Sequence, residues 1–343
     1  TVLTDPRFSA RQELRISPVR ERPVKSIPPA APGMFLGMDA PAHTRYRRAL
    51  ASMFSLNRIS QLLPAIERVV AERLNAMRRH GPPVDLVPSF AAPIPVLVLC
   101  DLLGMPRSDA EQVRHRTTIR DNMGLAEEQR VAASETIYHY VHKLVQAERT
   151  RPTESMVGVM VTEGRLTETE VTVIAYLLII TGQETMANML ALGIFALLCH
   201  PDQWAQLRAT PSLIDNAVEE LLRYLTIAQF GTVRTALTDV DLDGHLIRAG
   251  EVVTVSLAAA NRDPQRFDHP DVLDITRSTG GHMAFGHGIH HCLGHQLARV
   301  EMRACYTALL ATFPTLCLAV EPEDISMRHD RDVYGVYQLP VAW

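Results

Sequence analysis

The sequence has no excess of either charge: 38 acidic against 34 basic side chains leave a net charge of −4 over 343 residues. A dedicated nucleic-acid binder carries a basic excess, so that class is excluded. Glycine is sparse at 18 residues and cysteine sparser at five, which excludes collagen-like and disulfide-rich secreted chains. The cysteines (Cys100, Cys199, Cys292, Cys305 and Cys317) are odd in number and far apart, a usage that fits a reducing cytoplasm. The opening TVLTDPRFSARQELR lacks the apolar core of a signal peptide, and Thr1 stands where an initiator Met would. What the chain does have is apolar mass. At 47% hydrophobic and 21% charged residues it can bury a sizeable core, so wholesale disorder is excluded as well. Length alone gives a prior of about two domains. No repeat or low-complexity linker divides the chain, however, and a single domain over 1–343 is expected.

One stretch, from Val171 to Cys199, is apolar over a length that suggests a membrane span. Gln183, Glu184 and Asn188 interrupt its middle, where polar groups are costly in a bilayer. A long buried helix with a functional polar break is the better reading, with no membrane contact.

The pattern along the chain is mainly helical. Residues 1–40 are rich in Pro and Arg, with strand-like pieces and a PPAAPG run that cannot be helical. HTRYRRALASMF reads as a basic-faced helix, and ISQLLPAIERVVAERLNAMRRHG as a second helix stopped by Gly81-Pro82-Pro83. Arg107 to Thr150 is periodic and polar. Thr167 and Glu170 form a capping box that opens the long helix expected over 168–200. Strand character appears only in VDLDGHLIRAGEVVTVSLA, and one more helix is expected over Leu293 to Thr312. The expected fold is mainly α with a minor β part.

The chemistry concentrates in HMAFGHGIHHCLGHQLARVE, residues 282–301. Gly286 and Gly288 let the backbone turn close to a flat ligand. Cys292 then falls where a helix begins, and free amides at such an end favour a thiolate, a strong metal ligand. Two other readings stand beside this one. Cys292 can be a buried small hydrophobe, or the crowd of His287, His290, His291, Cys292 and His295 can bind zinc. A zinc protein would be colourless.

FGHGIHHCLG resembles the cysteine loop of the cytochrome P450 family, the haem-thiolate monooxygenases, and three further segments resemble the family in its order. In LLIITGQETMAN, Gly182 would admit cofactor and dioxygen close to the helix, and Glu184 and Thr185 resemble the family's acid–alcohol pair for proton delivery. Apart from the resemblance, Thr185 bonded back to its own helix and an ion-paired Glu184 would be the plainer reading. In EELLRYL, Glu220 and Arg223 share a helix face, and Arg277 in DITR fits the third place of a buried structural cluster; alone, the pair would read as a surface bridge. DAPAHTRYRRAL places His43 and Arg47 one turn apart. With Arg234 in GTVRTAL and His290 in the cysteine loop, they match the family's donors to the haem propionates, although alone they would read as a solvated basic face.

The resemblance implies a P450-like fold, with haem between the long central helix and the cysteine-loop helix and Cys292 as the iron ligand. It implies a haem b monooxygenase that hydroxylates or epoxidises a small organic molecule with O2, in natural-product biosynthesis. Electrons would come from NAD(P)H through an external ferredoxin and ferredoxin reductase, steered toward Arg45, Arg48, Arg299 and Arg303. It implies a cytoplasmic monomer with no nucleic-acid or membrane partner. Family members carry several dozen residues ahead of a segment like TVLTDPRFS. A xenobiotic-degrading monooxygenase and a non-catalytic haem-thiolate sensor or electron carrier are the alternatives; the latter would not need Glu184 and Thr185. The substrate lining is expected from Pro28 to Leu36, Ile179 to Asn188, Ile227 to Thr232 and Tyr334 to Tyr337.

Overall fold

The computed structural model describes residues 1–15 and 27–343; the part of the Pro- and Arg-rich opening at 16–26 lies outside the described residues. The helices are α1 (Ala42–Leu50), α2 (Leu56–Ser60), α3 (Leu63–His80), α4 (Pro93–Leu103), α5 (Ala110–Asp121), α6 (Glu127–Thr150), α7 (Met156–Glu163), α8 (Glu168–Leu198), α9 (Pro201–Ala209), α10 (Ile214–Leu225), α11 (Leu257–Ala260) and α12 (His295–Thr312). The strands are β1 (Phe8–Ser9), β2 (Val84–Asp85), β3 (Thr232–Ala236), β4 (Val240–Leu242), β5 (His245–Ile247), β6 (Val252–Val255), β7 (Cys317–Leu318) and β8 (Pro340–Ala342). They form two antiparallel sheets, ordered β1-β3-β6 and β2-β8-β7, and the β4-β5 hairpin.

Helix α8 organises the rest. It is apolar around its whole circumference, as a helix enclosed on all sides should be, and it packs against α4, α5, α6, α7, α9, α10 and α12. Among the described residues it is the one helix long and apolar enough to cross a bilayer, and most of it is buried inside the protein. Its start is fixed as the sequence indicates: Thr167 Oγ1 accepts from the Glu170 amide, and Glu170 Oε2 accepts from the Thr167 amide at 2.8 Å. Glu170 has a second task. It also accepts from Arg45 Nη1 at 2.5 Å and Tyr46 Oη at 2.7 Å. Hydrogen bonding from Arg45, against the opposing effect of burial, holds its carboxyl down to about 2. Those bonds fix α1, and with it His43 and Arg47, against the start of α8.

Two boundaries differ from the sequence reading. The helix expected over 59–81 is broken at Gln61-Leu62, and α3 starts afresh with Pro64 in its first turn, because proline supplies no amide for a continuing helix. Helix α12 begins at His295 rather than Leu293, which leaves Cys292 in the loop ahead of it.

Candidate active site

A buried ion cluster supports the loop that carries Cys292. Glu220 and Arg223 are fully buried on α10, joined at 2.7 and 2.9 Å, and Arg277 Nε reaches Glu220 Oε1 at 3.2 Å. The surface-bridge reading therefore fails. Arg223 Nη1 also donates to the carbonyls of Asn261 and Pro270, both at 2.8 Å. Asn261 passes the order onward: its Oδ1 accepts from the Met283 amide at 2.6 Å, at the entrance to the cysteine loop. In the loop, the Cys292 amide donates to the Phe285 carbonyl at 2.9 Å, and Gly286 and Gly288 take φ of 71° and 77°. A β-carbon on Gly288 would sit 2.5 Å from the Leu3 carbonyl, so a side chain there is excluded twice over.

Cys292 faces a cavity of about 430 Å³ that also touches Phe285, Gly182, Thr185, Arg47, Arg234 and His290. Burial pushes its thiol up, while the Gly294 amide, Arg47 and Arg299 pull it down. The net direction is upward. A bound cation would reverse it, since metal coordination deprotonates a thiol. The amide that assists is that of Gly294, the N-cap residue of α12, as the sequence reading of a helix-end amide expects.

Two arginines and two neutral histidines gather at one edge, none of them paired with a carboxylate among the described residues. His43 is 1% exposed and neither ring nitrogen has a partner, and His290 Nε2 is likewise buried and unpartnered. Their rings lie 4.1 Å apart. Arg234, 4% exposed, donates only to the Val233 carbonyl, and Arg47 makes no hydrogen bond or ion pair among the described residues. Burial, then Arg47, presses His43 down to about 4; burial, then His43 and Arg234, presses His290 down to about 3. Asp39, whose field reaches this group, is occupied by the Ser9 hydroxyl at 2.6 Å and the Ala10 amide at 2.8 Å. Buried polar atoms are normally satisfied. Arg47, Arg234 and His290 on the cavity lining, with His43 packed against His290, fit a ligand with a flat apolar body and carboxylates on that edge.

The central turn of α8 borders the same space. A β-carbon on Gly182 would meet only Leu99 methyls, at 3.5 and 3.6 Å, so the missing side chain leaves room for the cavity rather than for protein packing. Thr181 and Thr185 both reach the cavity, and both hydroxyls donate back to their own helix, to Leu177 O at 2.7 Å and Thr181 O at 2.8 Å. Glu184 points elsewhere. It pairs with Arg328, whose Nη1 donates to Asn188 Oδ1 at 3.0 Å. The plainer reading of both side chains is therefore their geometry here; Glu184 does not border the cavity, although its neighbour does.

Sequence reasoning missed several groups. Arg328 carries no motif and acts on Glu184 far away in the chain, and Asn261, in the family-like AANRDP, had no role read for it. Glu301 borders the cavity from α12, with Oε2 unpartnered. Burial pushes it up to about 8, so it stands in that wall as a neutral hydrogen-bonding group. The zinc reading fails: among the described residues no three His, Cys, Asp or Glu side chains are placed to share a metal ion. The expected lining is confirmed at Phe35, Leu36, Ile227, Ala228 and Thr232, but the terminal segment contributes Asp332 and Val333 in place of Tyr334 to Tyr337. The reason is local: Val333 bridges to Ala228, while Tyr337 turns outward to bond Asp330 at 2.5 Å.

A cysteine facing an apolar cavity edged by arginines and a histidine without acidic partners among the described residues, beneath a helix that gives up a side chain there, is the layout of a haem-thiolate protein. The cytochrome P450 family profile matches residues 117–335. "Cytochrome P450 105C1" of a Streptomyces species is 46% identical over all of this chain and 86% of that protein. "Vitamin D3 dihydroxylase" of Streptomyces griseolus is 40% identical over all of this chain and 85% of that protein. The crystal structure of the LnmA cytochrome P450 hydroxylase of the leinamycin pathway, from Streptomyces atroolivaceus, superposes with a TM-score of 0.90 at 39% identity, covering 100% of this chain and 87% of that one. The chain belongs to the cytochrome P450 family, and it is a monooxygenase of that family, with the haem iron, small-molecule substrate, dioxygen and redox partners that membership implies.

Proposed function

We propose that Cys292 ligates the haem iron and that His43, Arg47, Arg234 and His290 receive the propionates, in a single-domain cytoplasmic monomer that hydroxylates a natural-product intermediate. The observation that carries this reading is that Arg47, Arg234 and His290, none paired with a carboxylate among the described residues, share one apolar cavity with Cys292. Bound there, thiolate-ligated haem supplies the activation of dioxygen. The chain's own residues do the rest. Leu177, Leu178, Ile227 and Thr232 give the substrate space an apolar wall with sparse hydroxyls, suited to a lipophilic molecule held by shape. The leinamycin-pathway neighbour supports a biosynthetic substrate. The reading is tested by the carbon-monoxide difference spectrum of the reduced protein: a strongly red-shifted Soret band is expected, and its absence overturns it.

Thr185 and Glu184 have distinct duties in the relay. With its proton committed to Thr181 O, Thr185 Oγ1 offers its lone pairs to a water in the cavity and so holds a proton near the reacting oxygen. Glu184, turned away from the cavity and paired with Arg328, is the solvent-side member and reaches that water only by leaving Arg328. Thr185→Ala is expected to bind substrate and consume NADPH but to release most of its reducing equivalents as hydrogen peroxide. Because Thr181 borders the same space, the decisive measurement is product against peroxide in Thr181→Ala/Thr185→Ala; full coupling there removes the threonines from the mechanism.

Electrons are proposed to come from NAD(P)H through a reductase and an acidic ferredoxin. The expected basic face is smaller than the sequence suggests. Arg45 is committed to Glu170, Arg299 to Glu219 and Arg303 to Asp215, so these three add no uncompensated charge. Arg48 is exposed and has no acidic partner among the described residues. Arg48→Glu is therefore expected to slow reduction by up to about tenfold at low salt, with the difference fading as ionic strength rises. Stopped-flow reduction that ignores both salt and this substitution counts against the face.

A further inference from the structure

A second cavity, of about 470 Å³, opens on the surface where α2 and the segment before it meet the end of α4 and the start of α7. Its mouth is polar but holds little free charge. Arg58 gives Nη1 to Gln61 Oε1 at 3.1 Å and Nη2 to the Glu154 carbonyl at 2.8 Å. Asp101 is held by Arg107 at 2.6 and 2.9 Å, and the Glu154 side chain is open to solvent. The floor is apolar: Met53, Leu102 and Met156 line it and are buried. Leu102 borders both this chamber and the cavity that Cys292 faces, so the partition there is one side chain thick. Beside it, Met53 faces the chamber and its neighbour Phe54 the Cys292 cavity. Leu99 lies three residues before Leu102, on the same face of α4. Its methyls are the groups that a β-carbon on Gly182 would meet, at 3.5 and 3.6 Å. One face of α4 thus runs from the surface chamber to the turn of α8 that gives up its side chain.

We infer that this chamber is a binding site for small apolar gases, and that dioxygen passes from it, by way of Leu102, to the space beside Gly182. This rests on the reading that the Cys292 cavity holds the haem. An ionic ligand finds Arg58 and Asp101 already engaged at the mouth, whereas an apolar molecule gains by leaving water for the floor. A change of rotamer at Leu102 makes room for a diatomic molecule, and Met53, unbranched and flexible, yields readily beside it. A lipophilic substrate is too large for that gap. Its own space is walled by Ile227, Ala228 and Thr232, which belong to β3 and the segment before it rather than to α4. Dioxygen and substrate thus have separate approaches, and a substrate seated in the cavity does not shut the gas route.

The test uses the haem-loaded full chain, reduced and carbon-monoxide-bound. The gas is released by a laser flash and its return from solution is timed. Val159→Trp on α7 and Leu62→Trp between α2 and α3 fill the chamber, and neither residue lines the Cys292 cavity. With the red-shifted carbon-monoxide band intact, each is expected to slow the return at least about twofold, since parallel routes add and the larger one is closed. Leu102→Ala removes the gate and should speed the return by a similar factor. Unchanged return in both tryptophan variants overturns the route, and unchanged return in Leu102→Ala overturns Leu102 as its gate. In a second arm, the carbon-monoxide complex with 13C-methyl methionine is placed under xenon, which enters apolar cavities. The Met53 and Met156 methyl resonances, assigned through Met53→Leu and Met156→Leu, should shift with pressure, while that of Met327, which lines neither cavity, should not. Unmoved Met53 and Met156 resonances overturn the gas site. Absence of the red-shifted band in wild type would instead overturn the haem reading, and the xenon shifts would still report on the chamber.

Discussion

Cys292→Ser is expected to lose the red-shifted carbon-monoxide band completely, and monooxygenase turnover with it. Serine keeps the loop: the amide at residue 292 still donates to Phe285, and the space changes by less than a methyl group. What it cannot supply is a thiolate, since an alcohol is far too weak an acid to serve as the same anionic ligand. The loss is therefore chemical rather than structural, and an unchanged far-ultraviolet dichroism spectrum should accompany it. Cys199 and Cys317 lie away from this cavity and are free thiols; their replacement by Ser should leave band and turnover intact. An active Cys292→Ser enzyme would falsify the haem-thiolate assignment.

Glu220→Ala is expected to yield little soluble, haem-loaded protein. Glu220 and Arg223 have no exposed side-chain surface and Arg277 only 10%. Removing the carboxylate leaves two guanidinium groups in the interior without an anion, at about 3–5 kcal/mol, a large part of the 5–15 kcal/mol that holds a typical domain folded. The Asp274 amide loses its acceptor as well, at 3.0 Å from Glu220 Oε1. The damage propagates along a defined route, through Arg223 to Asn261 and from Asn261 to the Met283 amide, so haem content should fall further than secondary structure. Carbon-monoxide-binding haem per mole of protein, measured beside the far-ultraviolet dichroism of the soluble fraction, separates the two losses. Normal expression and full haem content would reduce the cluster to an ornament.

How much of this was legible in the sequence depends on how local the interaction is. The start of α8 could be read because a capping box spans three residues and its partners lie on one turn. His43 with Arg47, and Glu220 with Arg223, are likewise set by helical spacing, and Arg277 completes the cluster where the resemblance placed it. The break before α3 was missed although Pro64 was visible, since apolar periodicity continues across it. Contacts between distant segments left no trace. Arg328 meets Glu184 across 144 residues, and Arg45 meets Glu170 across 125. Both arginines looked like surface charges in a chain with many of them. The same limit applies to Glu184, whose sequence neighbours define its chemistry while its direction is set by the terminal segment.

The unsatisfied edge formed by His43, Arg47, Arg234 and His290 bears on how much of this protein a cell contains. A polypeptide that gathers positive and hydrogen-bonding groups around an apolar hollow is destabilised by its own interior until an anionic partner arrives. If those groups take the propionates as proposed, ligation and folding draw on one equilibrium, and the folded fraction rises with the free concentration of the prosthetic group. Under iron limitation the chain would then be turned over as a poorly folded species before any question of turnover arises, and its abundance would follow porphyrin supply instead of transcription. In recombinant hosts the same linkage would make precursor feeding, rather than a stronger promoter, the effective way to raise yield.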